Sequence, residues 1–375
     1  MTLGYKQRTC NTACSPIPHL FGRWQFLHDR LQRLHDDGHA DPGLDQAKWH
    51  LYCAQYHGCS AVGAEPPMTL PSSGLAQAAL ENWCTELPMD AVQSIRRNLI
   101  DAENLIDKFR NLKPEVIEAL LHDFDGDGET EIRLANSHCV AWMAPSLGGR
   151  LLGLDSRNER QNVLAGDLPS FVEYFWYPKI QSNEVSDYLT HADANFANGS
   201  YHGQLRQGEG RVQVLLRQQS LVHDLPLRVS KALTILESQE ELEITYLIEG
   251  LPAGIHVNFG SLWHWTGIGT DDANRFLHDL SGHRLGSCRR SLYLPCSAGV
   301  GLCDAWSGID LQLCTPKLCS IAVSATPIES RCSTAFHHVS VLPHWTVTGD
   351  LDGRWSTKFS LRLDSTNTSA RKSPT

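Results

Sequence analysis

At Asp123-Phe-Asp-Gly-Asp-Gly the hydrophobic rhythm of the chain changes, and no other feature restricts its fold as much. Upstream, apolar residues recur every three or four positions. Trp24, Leu27, Leu31 and Leu34 share one helical face, which Gly38 and Pro42 end. Residues 46–55 read as a second helix ended by Gly58, and 63–74, with three prolines, as an irregular loop. The longest stripe is Val92, Ile95, Leu99, Ala102, Ile106 and Phe109, within a helix predicted over 91–110. Downstream the period is two. Leu242, Ile244, Tyr246 and Ile248 alternate with polar residues, as do Phe359, Leu361 and Leu363. Short apolar runs at 139–144, 211–216, 228–236, 309–313 and 320–324 are divided by Gly, Pro, Asp and Asn. The expectation is a mainly β protein: a disordered lead-in over 1–18, a small helical domain over 19–114, a large antiparallel β-sandwich over 123–364 and a disordered tail over 365–375.

With 375 residues the chain is long enough for a real core in both parts. Its 42 Asp+Glu outnumber 32 Lys+Arg, for a formal charge of -10. Such a field repels phosphate polymers and anionic lipid, so neither nucleic acid nor membrane is expected as a partner. The first residues carry no apolar run of signal or membrane length, and the predicted location is the reducing cytoplasm. The twelve cysteines include no C-x-x-C pair and read as buried or incidental thiols. Neither a G-x-S-x-G elbow nor a Cys-based catalytic signature occurs, and the glycine-rich stretch 203–210 reads as a turn.

Several phrases, taken in order, resemble glycoside hydrolase family 57, in its α-amylase and 4-α-glucanotransferase branch. Residues 20–34 resemble the close of that family's catalytic barrel. Leu51-Tyr-Cys-Ala-Gln-Tyr-His-Gly resembles a stretch leading into a Trp-His-Gly element, and Arg97-Asn-Leu-Ile-Asp-Ala-Glu-Asn resembles the last helix of its helical segment. Residues 123–131 with Ala144-Pro-Ser-Leu-Gly-Gly resemble the sandwich entry, and Val257-Asn-Phe-Gly, Pro327-Ile-Glu-Ser and Val341-Leu-Pro-His-Trp resemble later strands. The resemblance implies a retaining attack on α-1,4-glucans by a Glu nucleophile and an Asp acid, both in the barrel. A (β/α) barrel takes about 200 residues or more, and the β-rich part already begins at Asp123. No residue of this chain is therefore assigned as catalytic. In the Trp-His-Gly element Tyr56 replaces the tryptophan beside His57, leaving a smaller stacking surface in what resembles a sugar-facing loop.

Asp123, Asp125 and Asp127 with Gly128 have the spacing of the first half of a calcium loop. Leu134 at the twelfth position excludes an EF-hand, so the choice is a looser calcium site completed by Glu129 or Glu131, or a polar turn. Trp263 and Trp265 project from one face of a strand, with His264 on the other; they suit either sugar stacking or the core. The size of the sandwich also resembles the galactose-mutarotase-like superfold, whose chemistry needs a His acid and a Glu base on one groove. His191, His202, His264 and His338 are the histidines for that role, and Glu173 or Glu184 the base. The resemblance implies an α-glucan-associated chain, non-catalytic alone, binding α-glucan or maltooligosaccharide through Tyr56, His57, Trp263 and Trp265. Its uncovered face predicts a barrel-bearing protein partner or self-association. The alternatives are a fragment of a complete glucanotransferase, or a mutarotase-like sugar epimerase.

Overall fold

The computed structural model describes residues 17–61, 89–110, 117–124, 126–165, 168–177, 180–268, 274–305, 307–328 and 336–365. The loop expected over 63–74, and most of the expected lead-in and tail, lie outside the described residues. Among the described residues three helices come first: α1 (Ile17–Asp36), α2 (Pro42–Ala61) and α3 (Met89–Arg110). α1 takes in Ile17 and Pro18, two residues of the expected lead-in. α2 is longer at both ends than its predicted span. Its start is set by Asp41, whose carboxylate accepts the Gly43 N–H at 2.7 Å, with Pro42 at the first helical position, where a missing N–H costs nothing. Gly58 is carried inside the helix. Leu20, Trp24, Leu27, Leu31, Leu44, Leu51, Val92, Ile95, Leu99 and Ile106 form the helical core, and the Trp24 indole donates to the Leu51 carbonyl at 3.0 Å.

Two antiparallel sheets follow. The smaller runs β1-β2-β3-β4-β5 in chain order: β1 (Glu118–His122), β2 (Glu131–Ala135), β3 (Cys139–Ala144), β4 (Arg150–Ser156) and β5 (Gln161–Asn162). It begins before Asp123, because the short run Glu118–His122 is too brief to show a period yet pairs residue for residue with β2. The larger sheet holds twelve strands among the described residues. They are β6 (Val172–Trp176), β7 (His202–Gly208), β8 (Arg211–Val222), β9 (Leu225–Leu236), β10 (Glu241–Glu249), β11 (Val257–Ile268), β12 (Arg275–His278), β13 (Arg284–Ser287), β14 (Leu292–Asp304), β15 (Ile309–Ile328), β16 (Phe336–Val347) and β17 (Arg354–Ser365). Their main order is β13-β12-β14-β15-β17-β10-β9-β8-β7, and β16, β11 and β6 branch from β15. Most of the glycine-rich stretch read as a turn is strand β7, paired along its whole length with β8. The last strand also takes Ser365 from the expected tail. No described helix is long and apolar enough to cross a membrane.

Alternation settles which face is inside. Leu242, Ile244, Tyr246 and Ile248 of β10 and Phe359, Leu361 and Leu363 of β17 all enter one core shared with Ile132, Leu134, Met143 and Leu154 of the smaller sheet. The β6-β11-β16 branch is covered on its other face as well. There Trp176, Leu262 and Leu342 pack with Val185 and Tyr188 of α4 (Val185–His191). His344 sits in this second layer with its ring centroid 5.4 Å from Trp176 and 5.2 Å from Tyr188. Burial pulls its pKa from 6.5 down to about 4.

The helices join the smaller sheet through buried ion pairs. Ile132 and Leu134 of β2 face the core, so Arg133 between them faces the helices, fully buried. Its guanidinium donates to Glu103 of α3 (Nε to Oε1 2.8 Å), to Asp107 (3.1 Å) and to Glu118 of β1. Arg23 of α1 pairs with Glu103 at 2.5 Å and with Asp155 of β4 at 2.6 Å. Arg30 adds Asp107 and Glu118, Arg157 adds Asp107, and Arg160 adds Asp101. The Trp142 ring lies under both Arg23 and Arg133, at 5.2 and 5.6 Å. Burial alone would raise the Glu103 pKa, but Arg133 and Arg23 hold its carboxyl well below the usual carboxylate range.

Removing one member of such a network strands the others in a dry site. Glu103→Gln is expected to cost about 3–5 kcal/mol and to lower the melting temperature markedly; an unchanged melting curve would refute the role given to this carboxylate. His344 gives a pH dependence of definite sign. Between pH 6.5 and about 4 the unfolded chain takes up a proton that the folded ring refuses. Its contribution is therefore whole above pH 6.5 and declines on acidification by about 1.4 kcal/mol per unit. His344→Phe should flatten the melting temperature against pH across that window, as scanning calorimetry would read.

Candidate functional site

The sandwich closes around one ion pair. Lys231 of β9 is in phase with Leu227, Val229, Leu233 and Ile235, so its side chain points into the core, and Tyr246 of β10 stands opposite it in the ladder. Its ammonium donates to both oxygens of Glu173 in β6, at 2.8 and 3.0 Å, and to the carbonyls of Gly148 and Phe171, each at 2.8 Å. The hydroxyls of Tyr201 and Tyr246 donate to the same carboxylate at 2.7 Å each, and Ser261 lies 3.1 Å from the Tyr246 hydroxyl. Lys231 and Glu173 are both 0% exposed. Burial pulls the Lys231 ammonium below its ordinary range, and Glu173 opposes that shift. Burial, then the Glu173 charge, raises both tyrosines well above theirs, which keeps them as donors.

The Gly-Gly corner exists to bring a carbonyl into this centre. Gly148 and Gly149 both have positive φ, 71° and 56°. A Cβ on Gly148 would stand 2.1 Å from the Ala197 carbonyl oxygen, and one on Gly149 2.9 Å from the Lys231 side chain. Only glycine lets the chain turn there and close on the lysine. The centre as a whole is a filled polar core: every strong group has its partner and none opens to solvent.

The sequence candidates fall on different ground. Trp263 and Trp265 do share a face of β11, but it is the inner one, and both rings are 0% exposed. A ring with no open face cannot stack on a sugar, so their reading as carbohydrate contacts is corrected to core. Glu173 is likewise withdrawn as a mutarotase base, since its carboxylate is enclosed and already carries four donor contacts. His264 and His338 are buried in β11 and β16, with the His264 Nδ1 2.8 Å from the Ser340 hydroxyl. His191, His202 and Glu184 are exposed, and Glu184 accepts the Ser291 hydroxyl at 2.5 Å. Tyr56 and His57 belong to the last turns of α2 and not to a loop; their side chains lie outside the described residues.

Asp123 turns both carboxylate oxygens onto its own loop, accepting the N–H of Gly126 at 2.7 Å and of Gly128 at 3.0 Å. Asp127 accepts the Glu129 N–H at 2.8 Å, and buried Glu131 accepts that of Phe124 at 2.8 Å. The turn is thus closed by carboxylate–amide bonds. Asp125 lies outside the described residues, among which no group of three His, Cys, Asp or Glu side chains converges as a metal site.

Among the described residues, a cleft of about 600 Å³ opens between α1 and the β1 strand with its following turn. Phe21, Phe26 and Phe124 supply aromatic wall, and Arg33, Asp29 and His122 are polar groups at its edge. Phe26 is held in place by Arg30 over its ring at 4.2 Å and by Phe124 edge-on at 4.9 Å. Nothing in the sequence reading singled out this cleft, Lys231 or Tyr201. The one signal was a lysine in inward phase in a strand.

Comparison with known proteins now bears on these features. A family model described as Alpha-amylase/4-alpha-glucanotransferase, C-terminal, matches residues 123–166 and 169–359. No curated protein sequence matches. Among solved structures, a 4-alpha-glucanotransferase from Thermococcus litoralis is 13% identical with a TM-score of 0.54; the match covers 92% of this chain and 57% of that one. This chain therefore spans little more than half of that enzyme, and at such identity the likeness is one of fold. A galactose mutarotase-like protein from Clostridium acetobutylicum gives 11% identity, TM-score 0.45 and coverage of 67% and 99%. A galactose mutarotase related enzyme from Lactobacillus acidophilus gives 10%, 0.42, 63% and 98%.

The closed ion pair makes a direct prediction. Lys231→Met leaves a carboxylate buried without its cation and should cost about 3–5 kcal/mol. The double variant Lys231→Met, Glu173→Gln should lose less than the sum of the two single changes, as a double-mutant cycle on denaturant midpoints would show. Additive losses would mean the two groups are not coupled.

Proposed function

Because the chain belongs to the alpha-amylase/4-alpha-glucanotransferase C-terminal family, we propose that it is an α-glucan-associated protein of the glycoside hydrolase family 57 kind, non-catalytic by itself. The observation that carries this reading is the family match through nearly the whole sandwich, 123–166 and 169–359. The structure supports the non-catalytic half of it through the state of the buried acids. Glu173, Glu103 and Asp155 each face a lysine or arginine at ion-pair distance inside the protein, where no glycosidic oxygen can reach. Retaining hydrolysis needs two carboxyls about 5–5.5 Å apart on an open groove, and the proposal assigns that work to a barrel-bearing partner.

Contact with α-glucan or maltooligosaccharide is placed in the α1–β1 cleft and not on Trp263 and Trp265. The half-buried rings of Phe21 and Phe26 can take the apolar face of a glucose unit, while Asp29, Arg33 and His122 can bond hydroxyls. The cytoplasm, where soluble glucan stores are handled, is the proposed location.

Electrophoresis through gels containing soluble starch tests the reading. The purified chain should be retarded relative to a gel without glucan, and an Arg33→Ala, His122→Ala variant, altered only at exposed positions, should lose most of that retardation. The same preparation should release no reducing ends from starch and should not redistribute maltooligosaccharide lengths. Unretarded migration would overturn the binding, and depolymerisation by the pure chain would overturn the non-catalytic assignment.

A further inference from the structure

β14 and β15 pair regularly from Asp304↔Ile309 to Gly299↔Cys314, and again from Leu294↔Ile321 to Leu292↔Val323. Between these two blocks the ladder breaks on both strands around the single pair Ser297↔Cys319. β15 takes five steps from Cys314 to Cys319 while β14 takes two from Gly299 to Ser297, and β14 takes three from Leu294 to Ser297 against two on β15. The second mismatch is a bulge whose extra residue is Cys296.

Cys296 has φ 53°, the left-handed conformation that the first residue of such a bulge adopts and that glycine ordinarily supplies. A side chain there is strained, and strain of this kind persists where something else holds the position. In this bulge type the left-handed residue and its successor face one residue of the partner strand. Ser297 faces Cys319 in the ladder, and Cys296, its neighbour in the chain, stands one residue from that pairing. With strands about 4.8 Å apart and a rise of about 3.3 Å per residue, a one-residue offset places the two α-carbons about 6 Å apart, inside the window of about 4.4–6.8 Å that disulfides use. Cys296 is exposed, and Cys319 is buried with its sulfur 3.8 Å from the Thr315 hydroxyl.

We propose that Cys296 and Cys319 are a redox-responsive pair that closes into a disulfide across the β14–β15 irregularity when a hydroperoxide is present. The Cys296 thiolate attacks the terminal peroxide oxygen, the O–O bond breaks, and a sulfenic acid and an alcohol (water, for hydrogen peroxide) result. The Cys319 thiol then attacks the sulfenic sulfur; the S–S bond forms and water leaves with the thiol proton. Two thiols have given up two protons and two electrons, and the peroxide has taken up both to become the alcohol and water. The order follows from access. Burial pushes the Cys319 thiol up to about 12 against its bond to Thr315, so it is a poor first nucleophile, whereas Cys296 meets solvent. A small thiol attacking the exposed Cys296 sulfur reverses the reaction. The broken ladder lets the strands close on the bond without tearing regular hydrogen bonds. The pair is independent of the glucan reading, since it lies wholly within β14 and β15.

The test is peptide mapping of the full chain after equimolar hydrogen peroxide, alkylation and tryptic digestion without reductant. Cleavage after Lys317 separates peptide 291–317, which holds Cys296, Cys303 and Cys314, from peptide 318–331, which holds Cys319. The expected product is these two peptides joined, lighter than their sum by two hydrogens and split by dithiothreitol. It should vanish in Cys296→Gly and Cys319→Ser and survive in Cys314→Ser. Cys296→Gly suits the left-handed backbone, so its melting temperature should equal or exceed that of the reduced parent, separating loss of the bond from loss of the fold. A link made through Cys303 or Cys314, or oxidation of Cys296 to sulfinic acid with no link, would overturn the proposal.

Discussion

The guanidinium of Arg133 holds this structure in one piece. It stands on the outward face of β2, fully buried, and reaches Glu103 and Asp107 on α3 and Glu118 on β1. Arg23 carries the same network from α1 through Glu103 to Asp155. A sheet face that would otherwise be solvated is thereby turned into an interface, and α1 and α3 are fixed against the sandwich by directional bonds in a medium where misalignment is expensive. The fully buried Trp142 ring packs against both guanidiniums.

The second ion pair plays a corresponding part at the sandwich centre. Lys231 and Glu173 lie 58 residues apart in sequence, on strands of different parts of the large sheet, and their bond collects two tyrosine hydroxyls and two carbonyls around it. One of those carbonyls comes from the Gly-Gly corner of the smaller sheet. The centre thus ties the two sheets to each other with polar geometry in a core otherwise filled by Val, Leu, Ile and aromatic rings. Hydrophobic burial supplies most of the driving force and forbids a one-residue slip, which would turn the apolar face outward; the ion pair adds one specific partner to that register.

These two networks bear on function through what they occupy. Glu173, Glu103 and Asp155 are inside, each paired with a lysine or arginine and orienting structure, whereas Glu184 is exposed. The cleft where α1 meets β1 is open, and the same junction holds Phe26 in its wall in place. The family match covers nearly the whole sandwich, and the strong electrostatics of this chain serve its cohesion.

The sequence determined the elements. A period of 3.6 or 2 is a local property of consecutive residues, so the helical stripes, the faces of β10 and β17 and the change near Asp123 could be read without knowing what packs where. Boundaries followed less well, because Asp41 with Pro42 starts α2 ahead of the 46–55 span that the sequence predicts, and β1 is too short to show a period before β2 pairs with it. Only tertiary structure decided the sites. Alternation shows that Trp263 and Trp265 share a face but not that the face is inward, since β11 is covered on both sides. Nor can spacing reveal that Lys231 meets Glu173 or that a bulge sets Cys296 against Cys319, for those encounters depend on how distant strands are registered, and register is fixed by the whole sheet at once.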